Sequence, residues 1–141
     1  MPNITVSSNK NQDFVFDNGT TLEELGTTNI AFSPNVIAAN SIVYAPLKNL
    51  QMSLMTKFVD QQYMSNIDDS ASKLDSYTQT DLNFYYELPM KKVFQSIAFS
   101  GTVNNVFDEK IVSNGADYGF GYIYYFPQAG INFLAGMTLK F

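Results

Sequence analysis

Cysteine, histidine, arginine and tryptophan are all missing from the 141 residues. Without cysteine there is no disulfide framework and no thiolate metal site. Without histidine the commonest general base and the commonest transition-metal ligand are gone, which argues against zinc chemistry and against a Ser–His hydrolytic pair. Without arginine there is no bidentate clamp for phosphate. A net charge of −5 argues further against nucleic acid as a partner. No apolar run reaches the length of about 18 residues that a membrane-spanning helix needs. The start, MPNITVSSNK, lacks the basic and apolar regions of a signal peptide. Gly119-Phe120-Gly121 fits neither phosphate-loop frame, and no G-x-S-x-G elbow occurs. These absences lead to the expectation of no catalytic residues, no metal and no cofactor, and so of a protein that is not an enzyme.

What the chain has instead is aromatics, with twelve Phe and nine Tyr, and alternation of period two. Alternation is the strand signature. Helical spacing is scarce; TLEEL, Thr21 to Leu25, is the one modest helix candidate. Turn residues such as Ser33-Pro34-Asn35, Ala45-Pro46 and Leu88-Pro89 punctuate the pattern. Six main strands are expected, near Asn3–Asn9, Val36–Ala45, Asn49–Gln61, Ser76–Leu88, Val93–Phe107 and Ile131–Phe141. A further strand-like run, Tyr118–Phe126, would extend the hairpin between the fifth and the sixth.

Several of these runs exceed the usual strand of about five to six residues and suit a membrane-spanning strand of roughly nine to eleven. Their faces differ. Leu82, Phe84, Tyr86 and Leu88 oppose Asp81, Asn83, Tyr85 and Glu87, and Leu50, Met52, Leu54 and Phe58 oppose Gln51, Ser53, Met55 and Lys57. The last strand sets Phe133, Ala135, Met137, Leu139 and Phe141 against Asn132, Thr138 and Lys140. A soluble sandwich can also alternate in this way. Two features tip the balance. Connections alternate between short (46–48 and 89–92) and long (10–33, 60–75 and 108–130), as in outer-membrane barrels. Charge sorts with them: eleven of the thirteen acids lie in the long stretches, while Lys48, Lys91, Lys92 and Lys140 mark the other end. A soluble sandwich has no reason to sort charge by end.

The segments IAFSPNVIAANSIVYAP, LKNLQMSLMTKFVDQQYMSN, YTQTDLNFYYEL, SIAFSGTVNNVFDEKIVSNG and YYFPQAGINFLAGMTLKF follow one another in an order and spacing that resembles a known family. From about Ile30 to Phe141 the chain resembles the C-terminal end of a TonB-dependent outer-membrane receptor barrel, of the type found in Bacteroidetes. NNVFDEK resembles the family's Asn-Leu-Phe-Asn/Asp element, with Val106 where Leu is usual. SSNKNQDF, Ser7 to Phe14, resembles the preceding strand and loop more weakly.

The resemblance implies an antiparallel up-and-down transmembrane β-barrel segment, all-β, comprising about six of the last strands of a barrel of about 22. It implies a location in the bacterial outer membrane and a part in active uptake of a scarce solute, such as a siderophore, metal complex, vitamin or glycan. The implied partners are outer-membrane lipid, the remainder of the barrel and its plug, the TonB complex and the outer-membrane assembly machinery. Six tilted strands alone cannot enclose a packed interior, and an open sheet leaves unpaired edges in lipid. The whole chain, 1–141, is thus expected to be a partial barrel domain without plug or signal peptide: a fragment, a truncated reading frame, or a subunit that closes by association. The alternative is a soluble antiparallel β-sandwich or small-barrel binding protein.

Three groups of residues follow as candidates. Phe133, Met137, Leu139 and the terminal Phe141 resemble the C-terminal signal read by the assembly machinery. Lys57, Asp81, Asn83 and Glu87 share a polar face that would line the lumen, with Lys57 as a possible partner for the two acids. Asp81 and Glu87 lie about 20 Å apart along their strand, too far for a catalytic pair. Tyr118, Tyr122 and Tyr124 are candidate ligand-contacting loop aromatics; an interfacial girdle or packing of the hairpin is the plainer reading. The acidic loop 60–75 has oxygens that suit Ca²⁺, but it lacks the D-x-[DN]-x-[DN]-G spacing and reads as a solvated loop.

Overall fold

The computed structural model describes every residue except Lys92 and Phe94, so the expectations for those two lie outside the described residues. The chain is all-β and antiparallel. Its strands are β1 Pro2–Val6, β2 Lys10–Asp17, β3 Leu22–Asn29, β4 Val36–Leu47, β5 Leu50–Val59, β6 Gln62–Tyr63, β7 Lys73–Leu74, β8 Tyr77–Pro89, β9 Ser96–Asn104, β10 Val112–Asp117, β11 Ile123–Pro127 and β12 Asn132–Lys140. A 3₁₀ turn, Ser70–Ser72, interrupts them.

Six strands form one meander in the order β1-β4-β5-β8-β9-β12. They are the six expected ones, trimmed at some ends. The first stops at Val6, and the fifth begins at Ser96 and stops at Asn104. The sheet is open. β1 and β12 are its edges, and residues 42–47 of β4 extend past the end of β1.

The register carries the two faces from β5 to β12, whereas both faces of β4 are mixed, with Asn40 beside Ile42 on one and Val43 beside Ser41 on the other. Leu54 faces Leu82, Leu82 faces Val103, and Val103 faces Phe133. On the other face Ser53 meets Asn83, which meets Thr102. Cross-strand pairs of this kind contribute roughly 0.2–1 kcal/mol each. Among the described residues no second layer covers the apolar face. Ile4, Val6, Ile42, Tyr44, Phe133 (81 %) and Met137 all lie more than half exposed. The buried apolar side chains among the described residues are Val59, Met64, Leu74, Ala98 and Ile111. Four of these sit where the long connections leave the sheet, so the packed core lies at one end of the sheet, not beneath it.

Each long connection carries its own small hairpin: β2–β3, β6–β7 and β10–β11. Two expectations are corrected here. Thr21–Leu25 is not helical, because Leu22 to Leu25 belong to β3, paired in register with β2 from Asp17↔Leu22 onward. Five residues cannot repay helix nucleation, whereas a neighbouring strand satisfies the backbone at once. The run 118–126 does not extend the main hairpin. β11 pairs with β10 in a separate two-stranded sheet, and residues before Ile123 form its tip.

Candidate functional site: the hairpin layer and the polar sheet face

The three hairpins are stitched into one layer by side chains that reach backbone groups. Asp68 holds Asn29 twice, accepting from its backbone N–H at 2.9 Å and from its amide Nδ2 at 2.9 Å. Asn66 Oδ1 accepts from the Ala31 N–H at 2.7 Å, and the Phe32 N–H reaches the Tyr63 carbonyl at 2.8 Å. These bonds tie the first long connection to the second. The Tyr125 hydroxyl donates to the Ala71 carbonyl at 2.6 Å and ties the third to the second. Gly115 is buried in the same seam, where a Cβ would collide with the Met64 sulfur and the Tyr124 carbonyl. Only glycine permits that approach.

Two carboxylates of loop 60–75 therefore have structural work. Asp68 clasps Asn29, and Asp69 caps the 3₁₀ turn by accepting from the Ala71 N–H at 2.9 Å. Among the described residues no three acidic side chains gather into a group that could hold a metal ion. In the β10–β11 hairpin, Asp117 accepts from the Gly119 N–H at 2.8 Å. That bond, with help from Ser72 and Ser65, holds its carboxyl below the ordinary aspartate range.

The tips of the hairpins enclose a cleft of about 460 Å³. The β2–β3 tip supplies Phe16 to Gly19, the second connection supplies Ile67, and the β10–β11 tip supplies Tyr118 and Phe120. Of the three tyrosines singled out from the sequence, only Tyr118 lines the cleft. Tyr124 backs it with an edge-to-face contact, ring centroids 6.0 Å apart at 75°. Tyr122 closes the turn through backbone bonds, its N–H reaching the Gly119 carbonyl at 3.0 Å. Phe16, Asp17 and Ile67 escaped the sequence reading, and Phe120 entered it only as a member of the aromatic run 118–126. The signal of the first three was membership of polar connections; the stitching that brings distant tips together is tertiary.

Lys57, Asp81, Asn83 and Glu87 do share one sheet face, as the register requires. The expected pairing with Lys57 is not formed. Asp81 lies opposite Met55, and its oxygens accept from Gln79 Nε2 at 3.0 Å and from the Asn105 N–H at 2.9 Å. Glu87 pairs instead with Lys140 at 2.8 Å, across the intervening β9, and also accepts from the Ser96 and Tyr85 hydroxyls. Asn83 accepts from the Thr102 hydroxyl at 2.9 Å. The face is thus a ladder of hydrogen-bonded polar side chains that runs from β8 to β12. On the opposite face Phe133, Met137 and Leu139 stand in one row, each paired with a residue of β9. Phe141 follows the end of that strand.

NNVFDEK acquires a physical account. Asn105 is buried at 2 % exposure with φ +52°. Its side chain spans the turn, accepting from the Glu109 N–H at 3.0 Å and donating to the Glu109 carbonyl at 2.9 Å. Asp108, also left-handed, accepts from the Ile131 N–H at 2.8 Å and so sets the entry of β12. No family model matches the chain, and no curated protein matches it.

Proposed function

We propose that this chain forms part of the wall of an outer-membrane β-barrel, the C-terminal strands of a TonB-dependent receptor, and so takes part in active uptake of a scarce solute. The observation that carries this reading is the uncovered apolar sheet face set against a hydrogen-bonded polar one. Leaving six large apolar side chains in water forgoes on the order of 5–10 kcal/mol, comparable with the whole stability of a domain. Lipid removes that cost. The strands β4, β5, β8, β9 and β12 run 12, 10, 13, 9 and 9 residues, enough to cross a bilayer when tilted. The hairpin layer with its acids belongs outside, the short turns with Lys48 and Lys91 in the periplasm. The open edges β1 and β12 pair with the rest of the barrel, and the resemblance of Phe133 to Phe141 to an assembly signal agrees with that place.

The test is the folding of the full chain with and without detergent or lipid. It is expected to aggregate in plain buffer and to give β-structure in micelles. A monodisperse, folded chain in plain buffer, with Leu82, Phe84 and Tyr86 protected from solvent, would sink the proposal and favour the soluble sandwich.

A further inference from the structure

Phe120 stands at the rim of the hairpin cleft, 89 % exposed. Its backbone is left-handed at φ +53°, between Gly119 at +77° and Gly121 at +81°. A left-handed non-glycine residue costs roughly 1–2 kcal/mol, and here that strain presents a ring to solvent instead of packing it. Tyr118, 72 % exposed, is oriented by its edge contact with Tyr124. Phe16 adds a third ring and Asp17 a carboxylate. Oδ1 of Asp17 accepts from the Gly19 N–H at 2.8 Å, which leaves Oδ2 for a ligand. No lysine lines the cleft, and the connections around it hold eleven carboxylates against Lys10, Lys73 and Lys110.

Ring faces carry negative potential, and so does the surrounding layer. We infer that the cleft binds a small organic cation, an ammonium seated on the faces of Tyr118 and Phe120 and paired with Asp17; this rests on the outer-membrane reading for its access from outside. Anions find no cationic clamp there. Neutral sugars also stack on rings, but the lining offers their hydroxyls little beyond Asp17, because the one lining amide is consumed: Asn18 Oδ1 accepts from the Thr20 and Thr21 N–H groups, and its Nδ2 donates to Thr21 and Glu23.

The full chain, folded in micelles, is titrated with choline, with its uncharged carbon isostere, with trimethylacetate and with maltotriose. Aromatic proton shifts of Tyr118 and Phe120 give the readout. Choline should shift them saturably, and the uncharged isostere should bind on the order of fivefold to tenfold more weakly. Asp17→Asn keeps the Oδ1 acceptor for Gly19, so the turn survives, and it should weaken choline binding by a similar factor, as should Phe120→Leu. Equal binding of the isostere, preference for the anion or the sugar, or indifference to Asp17→Asn overturns the inference. Strand amide protection read on the same sample separates the two ideas. A chain folded in micelles that ignores choline defeats only this inference, whereas one that folds without detergent defeats the outer-membrane reading.

Discussion

Asn105 shows how much a single polar side chain can organise at the end of an open sheet. It is buried, left-handed, and bonded on both amide atoms to Glu109, while its own N–H goes to Asp81. Asn105→Ala leaves two groups of Glu109 unsatisfied and keeps a Cβ at positive φ. A loss of about 1–3 kcal/mol is expected, measured by denaturant unfolding in micelles. Asn105→Gly relieves φ but restores neither bond, so it should recover only part of the loss. Asp117 gives a pH dependence. Its folded-state pKa is depressed, first by the Gly119 N–H. The stabilisation is fully present above the unfolded value of about 4 and is lost as pH falls through the lower folded value. Amide exchange at Gly119, corrected for its intrinsic pH dependence, should therefore accelerate below about pH 4, and Asp117→Asn should flatten that change.

The strands themselves make a sharper demand, because neighbouring residues on one strand meet opposite surroundings. Phe84 and Asn83 are adjacent on β8, yet Phe84 faces Met52 and Gly101 while Asn83 faces Ser53 and Thr102. On the outer-membrane reading, Phe84→Lys places a charge against lipid and should cost about 2–4 kcal/mol if it lies near the midplane. Asn83→Lys on the polar face should cost far less. Guanidinium titrations in lipid vesicles compare the two, and equal costs would mean that the faces are not in different solvents. Gly115→Ala should loosen the β10–β11 hairpin, because its methyl group would collide with the Met64 sulfur; faster exchange confined to that hairpin and the Met64 connection is the expected result.

For the molecule as a whole, the order β1-β4-β5-β8-β9-β12 leaves β4, β5, β8 and β9 paired on both sides, with β5 and β8 innermost, and β1 and β12 paired on one. Hydrogen exchange in micelles should therefore fall from the edges inward, with β5 and β8 the slowest. Uniform protection that includes β12 would mean that its outer edge is already satisfied, as pairing between copies would do.

The main sheet was legible because a period of two survives in any environment. The alternation of Leu82 to Leu88 with Asp81 to Glu87 fixes both strand and face before any partner is known, and the sorting of acids into long connections fixes the two ends. Lys57 was misjudged as a partner of the acids for the opposite reason: which residue faces which depends on register, and register set Met55, not Lys57, opposite Asp81. Likewise TLEEL carries helix formers, but β2 offered its backbone a ladder that five residues of helix could not match. The sequence by itself determined an all-β antiparallel meander, the two faces of its later strands and its polar and basic ends, since these follow from local spacing along one chain. Only the tertiary structure decided the Glu87–Lys140 pair and the stitching of three connections by Asp68, Asn66 and Tyr125. It also placed the cleft between Asp17 and Phe120. Those contacts join residues far apart in the chain, through single hydrogen bonds that leave no periodic trace.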